Sequence, residues 1–246
     1  QHVLPIVGDL PICRFTLDHA LEVLRRMPAK LSATTRRHIA QVLHRLISLA
    51  VFPLRLLPSS PLPRGFLPSI AAPKAKTHLY PDEDRALLAC TTIPLRVRLA
   101  YGFLAREGMR AGEATALTWG DLDLERGAVR LDSNKTEEPR VWPLRPDVVR
   151  ALRAWQKLSR TPVKDAQRTC LFPQDIRRAA ELFRTHLQEA GITRPELFER
   201  TPVRQPIRVH DLRATFVTIG LANGKTEPWI ADRTGHRSSI MINRYR

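Results

Sequence analysis

The chain has little cysteine. Cys13, Cys90 and Cys170 are odd in number and far apart. They fit neither a disulfide framework nor a zinc site, and they suit a reducing cytoplasm. Long apolar runs are also missing. Nothing approaches the 18 or so uninterrupted apolar residues of a membrane span. No signal-peptide pattern follows Gln1, and the missing initial methionine reads as a fragment or a trimmed chain. There is no Walker-type glycine-rich loop and no carboxylate cluster suited to magnesium, so no metal or cofactor is expected. Acidic residues are too few to balance the basic ones: 24 Asp and Glu stand against 40 Lys and Arg, a net charge of +16 in 246 residues.

Such a field favours a polyanion, and double-stranded DNA is the expected partner. A merely soluble basic protein or a ribosomal-type binder would share that composition. Residues 1–76 carry 11 Lys or Arg against 3 acids, and the remainder 29 against 21. Under a third of the chain thus holds half of the net charge. With 43% hydrophobic residues the chain can still bury a core.

Hydrophobic spacing predicts a helix through Leu17, Leu21, Leu24 and Met27. A second begins at the candidate N-cap Ser32, with Ile39, Val42, Leu43, Leu46, Ile47 and Ala50 as its apolar stripe. Arg36, Arg37, His44 and Arg45 on this helix are candidate DNA contacts; an ordinary solvated face is the competing reading. Residues 53–73 contain six prolines, which no helix or central strand tolerates. They read as a linker, with Lys74 and Lys76 extending its basic, DNA-binding character. Helices are expected near 81–89, 95–106, 110–117, 147–159, 175–190, 209–222 and 227–233. Strands at 128–131 and 140–144 form a hairpin with a polar turn. The fold is therefore expected to be mainly α with a small antiparallel β-sheet, in two domains. These are a helical basic domain over 1–52 and a larger domain over 77–246, joined by a Pro-rich linker over 53–76.

Arg110 and Glu113 are three apart on a predicted helix, so they share a face, and Glu113 can hold Arg110 in one rotamer. Taken alone, this is also an ordinary surface ion pair contributing less than about 1 kcal/mol. His210 and Arg213 are again three apart, at the start of a helix, with Asp211 between them. A basic first turn with a capping aspartate is the competing reading. Breaking a phosphodiester without metal needs neutralised non-bridging oxygens, an in-line nucleophile and a proton for the leaving oxygen. Arginine suits the first task because its planar fork binds two phosphate oxygens. A tyrosine with an ordinary pKa near 10 needs a base and a positive site before it can attack.

Three segments carry these residues in order: EGMRAGEATALTWGDLDL from Glu107, HDLRATFVTIGLANG from His210, and TGHRSSIMINRY from Thr234 to Tyr245. Over roughly 77–245 the chain strongly resembles the tyrosine recombinase, or phage integrase, family. The resemblance implies that Arg110 and Arg213 clamp the scissile phosphate, that His210 takes or returns the nucleophile's proton, and that His236 bonds a phosphate oxygen. Tyr245 would form a 3′-phosphotyrosine, Lys135 in the hairpin turn would be the general acid, and Glu113 would support Arg110. It implies strand exchange by four protomers on two duplexes; the expected location is cytoplasmic, nucleoid-associated if the protein is bacterial. A type IB topoisomerase-like or hairpin-resolving enzyme shares this chemistry. A DNA-binding protein that no longer catalyses would lack one of the motif residues, and none is missing.

Overall fold

A computed structural model describes residues 1–69, 74–132, 139–159, 168–236, 238 and 241–242. Lys135 and Tyr245 lie outside the described residues. The chain divides into two compact units, Gln1–Pro73 and Lys74–Arg246.

The first unit holds α1 (Leu4–Val7), α2 (Leu17–Arg25) and α3 (Ala33–Val51). Ser32 is the N-cap of α3, its hydroxyl accepting from the Thr35 amide at 3.1 Å. The helix stops at Phe52, extended at φ −146, because the following Pro53 disfavours the helical conformation of the residue before it. The buried side of α3 is Ala40, Leu43, Ile47 and Ala50, packed with Phe15, Ala20, Val23 and Met27. The expected stripe is therefore displaced by part of a turn. Val42 and Leu46 are 55% and 48% exposed. The reason is tertiary: the neighbouring segments cover α3 on the side of Leu43 and Ile47. Those segments include the proline-rich stretch itself, whose Leu57, Leu62 and Phe66 are buried in this core. Prolines there deny the chain a helix or a central strand but do not keep its leucines from packing.

The second unit is built on α5 (Leu95–Glu107), whose Tyr101, Phe103 and Leu104 lie in the main core with Phe172, Phe183 and Leu187. Around it stand α4 (Pro81–Ala89), α6 (Ala111–Ala116), α7 (Pro146–Ser159), α8 (Ala180–Glu189), α9 (Leu212–Ala222) and α10 (Glu227–Thr234). The sheet runs β1 (Leu122–Asp123), β2 (Ala128–Leu131), β3 (Arg140–Pro143), all antiparallel. Val129 pairs with Trp142, both buried, while Val141 is exposed, the two-residue alternation of a strand covered on one face. The mainly helical fold with a small antiparallel sheet is as expected. The short β1 and α1 carry too few residues for a periodic signal, and the helix expected over 175–190 is a 3₁₀ turn, Asp175–Arg178, followed by α8.

Candidate active site

Arg110 is the N-cap of α6, two residues after the glycine that ends α5. Glu113 accepts from the Arg110 amide at 3.0 Å and from its Nη1 at 2.5 Å. The pair is thus a helix N-terminal cap as well as an ion pair, which orients the guanidinium through backbone and side chain together. A second guanidinium reaches the same carboxylate. Arg140 of β3 donates from Nη2 to Glu113 Oε2 at 2.9 Å and from Nη1 to the Arg233 carbonyl at 2.8 Å. Burial alone would raise the Glu113 pKa, but the hydrogen bonds from Arg110 and the charge of Arg140 outweigh it and hold the carboxyl below its ordinary value.

Arg213 stands in the first turn of α9 and is 3% exposed. Its Nη1 donates to the Gly108 carbonyl at 2.8 Å. Gly108 needs φ +67 to end α5, and a Cβ there would lie 2.2 Å from the Phe216 ring. One glycine therefore stops a helix, admits an aromatic ring and aims an arginine. His210 belongs to the 3₁₀ turn Val209–Asp211 that leads into α9, where Asp211 accepts from the Arg208 amide at 3.0 Å and pairs with its guanidinium at 3.1 Å. Burial and then Arg213 lower the His210 pKa; Lys76 and Arg208 push the same way, and Asp211 opposes them.

His236 follows Gly235, the left-handed residue (φ +64) that ends α10. Its pKa is pushed down to about 4, by burial first and then by Arg213, Arg110, His210 and Arg140. Three guanidiniums and a second imidazole therefore act on one imidazole. Arg110 Nη2 lies 3.4 Å from the Gly235 carbonyl, which ties the first arginine segment to the last histidine segment. A cavity of about 390 Å³ opens here, lined by Arg140, Asp232, Gly235 and His236 among others. Such a locus can hold an oxyanion and stabilise charge developing on it. Among the described residues no group of acids, histidines and cysteines could hold a metal ion.

The structure thus brings Arg110, Glu113, His210, Arg213 and His236 into one electrostatic neighbourhood, with Lys76 exposed at its His210 side. Lys74 is differently employed, its ammonium donating to the Thr201 carbonyl at 2.6 Å. In the first unit Arg36 donates to the Leu24 carbonyl at 3.1 Å and closes the end of α2, and Arg37 bonds the Pro68 carbonyl. His44 and Arg45 are exposed on α3. Sequence reasoning gave Arg140 no role beyond opening a strand; its partners lie 27 and 93 residues away, and no local pattern could have pointed to them.

Residues 78–246 match the phage integrase family. The chain is 27% identical over 205 residues to y4qK, an integrase/recombinase-type protein of Sinorhizobium fredii (strain NBRC 101917 / NGR234), covering 81% of this chain and 63% of the relative. A second such protein of that strain, y4eF, is 28% identical over 206 residues, with coverages of 81% and 77%. The chain thus spans less than two thirds of y4qK. Among solved structures, a lambda integrase dimer bound to a COC′ core site has a TM-score of 0.72 at 16% identity, covering 100% of this chain and 84% of that one. The Tn1549 transposon integrase in complex with circular intermediate DNA has a TM-score of 0.69 at 21% identity, covering 97% and 83%. These likenesses give the fold. The protein belongs to the phage integrase family, the class of tyrosine recombinases.

Proposed function

We propose that this protein cleaves and rejoins duplex DNA at specific sites through a 3′-phosphotyrosine, and so catalyses recombination. The observation that carries the reading is the convergence of Arg110, Arg213, His210 and His236 on one cationic locus. Arg110 and Arg213 take the non-bridging oxygens of the scissile phosphate. Both are held by fixed acceptors, Glu113 and the Gly108 carbonyl, so little reorientation is needed when charge develops. The lowered pKa of His210 keeps its imidazole neutral and able to accept the phenolic proton of Tyr245 at neutral pH. Tyr245 attacks phosphorus, the P–O5′ bond breaks, and the 5′ oxygen takes a proton from Lys135. A 5′ hydroxyl reverses the step. The ester energy is retained in the phosphotyrosine, so no nucleotide is consumed.

The second unit is the catalytic domain, and the basic first unit supplies duplex contacts from His44 and Arg45, with Lys76 adding a phosphate contact beside His210. Arg36, Arg37 and Lys74 act first as braces for the chain. Exchange proceeds in a homotetramer on two duplexes. The test maps covalent adducts on a library of nicked duplexes after denaturation. Protein attached to 3′ ends at a defined sequence supports the reading, and DNA binding with no adduct on any duplex refutes it.

A further inference from the structure

The proton on His236 can be located from the hydrogen bonds of Thr234. Thr234 is fully buried, and its hydroxyl lies 2.7 Å from the Ile230 carbonyl and 3.1 Å from His236 Nδ1. A hydroxyl has one proton, and a carbonyl only accepts. The Thr234 proton therefore goes to Ile230, and the bond to the ring must be donated by Nδ1–H. In the neutral ring the lone pair is then on Nε2. A nitrogen in that state accepts a proton and cannot donate to a phosphate oxygen.

We propose that Thr234 locks neutral His236 in the Nδ1–H tautomer, so that the site takes up one proton from solvent, at Nε2, each time it receives a phosphodiester. This rests on the reading that a phosphate occupies the site, and adds how its charge is met. The Nε2–H bond forms at the expense of a buffer acid, and the resulting imidazolium donates to a phosphate oxygen. The groups facing His236 oppose its charging while the site is empty. Arg213 reaches it from α9, His210 from the turn before α9, Arg110 from the cap of α6, and Arg140 from β3. Glu113 is bound to both Arg110 and Arg140, and Asp232 lines the same cavity. With the ring held neutral down to about pH 4, the free site carries no imidazolium at neutral pH. An arriving phosphate monoanion offsets the cations and reverses the balance. The site thus acquires its last positive charge only when substrate supplies the negative one.

The ring nitrogens of ¹⁵N-histidine-labelled full chain, with His236 assigned by comparison with His236→Asn, report the tautomer and charge directly. The probes are dimethyl phosphate, whose single charge does not titrate between pH 5 and 9, and a short duplex. The free protein at pH 7 should show a neutral ring protonated at Nδ1, and saturation with either probe should convert it to imidazolium. Dimethyl phosphate binding at this site should then weaken up to tenfold per pH unit between the pKa of the free ring and that of the bound ring, the slope of one proton, and level off above the latter. Thr234→Ser keeps the hydroxyl and should keep the uptake. Thr234→Val, of similar shape, removes the acceptor; its ring should move to the Nε2–H tautomer and bind without a proton. A free ring protonated at Nε2, a ring that stays neutral at saturation, or a ring that responds to neither probe would each overturn the proposal. None of these readings needs Tyr245. Absence of a covalent adduct with uptake intact would sink the recombinase reading alone, and an adduct formed without uptake would sink this inference alone.

Discussion

Replacing Glu113 by glutamine removes one charge and almost no volume, at the point where two guanidiniums meet. The Glu113 side chain is 7% exposed, Arg140 10% and Arg110 20%, with contacts of 2.5 and 2.9 Å. Removing one partner of a buried ion pair typically costs about 3–5 kcal/mol, because the surviving charge loses its compensation. Glutamine keeps one oxygen acceptor, and both arginines retain a carbonyl, Gly235 for Arg110 and Arg233 for Arg140. The expected loss is therefore about 3 kcal/mol, at the lower end of that range. Urea unfolding followed by tryptophan fluorescence measures it cleanly, since Trp119, Trp142, Trp155 and Trp229 all lie in the second unit. The activity should separate from the affinity. With its positive charge less compensated, the site should bind duplex at least as well as before. Arg110, whose amide and guanidinium must then compete with Arg140 for a single oxygen, should present its fork poorly, and single-turnover cleavage of a nicked duplex should fall on the order of 100-fold, the scale of an ångström-level misplacement. A loss of stability below about 1 kcal/mol together with near-normal cleavage would refute the claim that Glu113 aims Arg110.

Tyr245→Phe should abolish the covalent 3′ adduct and leave duplex affinity nearly unchanged, because it removes a hydroxyl and no charge; an adduct persisting after denaturation would move the nucleophile elsewhere. Gly108→Ala should destabilise the second unit by about 2–4 kcal/mol, combining left-handed strain with overpacking on Phe216; an unchanged urea midpoint would count against it. Acidification should weaken the fold through His236. Its ordinary pKa of 6.5 falls to about 4 on folding, so its contribution is full above about pH 6.5 and is lost as pH falls toward 4. That loss is about 3 kcal/mol, and His236→Asn should flatten it in urea titrations at stepped pH. Duplex affinity should fall steeply with salt, through counterion release expected of a +16 chain, and a log–log slope near zero would remove the electrostatic argument.

What could be read from the sequence was local or already gathered in a motif. Ser32 caps α3 because a cap needs only the next three residues, and Gly108 ends α5 because a left-handed turn favours glycine. The stripe of α3 was misplaced by part of a turn because periodicity shows that a helix has an apolar side, while the covering segments decide where the burial is centred. Leu57, Leu62 and Phe66, in a stretch whose prolines suggest a spacer, do much of that covering. The motif residues gave the members of the site but not its electrostatics. Arg140 has no signal in a four-residue strand, yet it shares Glu113 with Arg110, touches the end of α10 and bears on His236. The consequence is a site whose parts depend on one another. Each of Arg110, Arg140, Arg213, His210 and His236 would be an ordinary basic residue alone. Gathered about His236, with Glu113 compensating Arg110 and Arg140, they make positive charge in excess, and His236 gives up its proton. A site built this way would meet a phosphate with fixed guanidiniums and one adjustable imidazole, whose Nδ1 lies 3.1 Å from the hydroxyl of Thr234, one helical turn after Ile230.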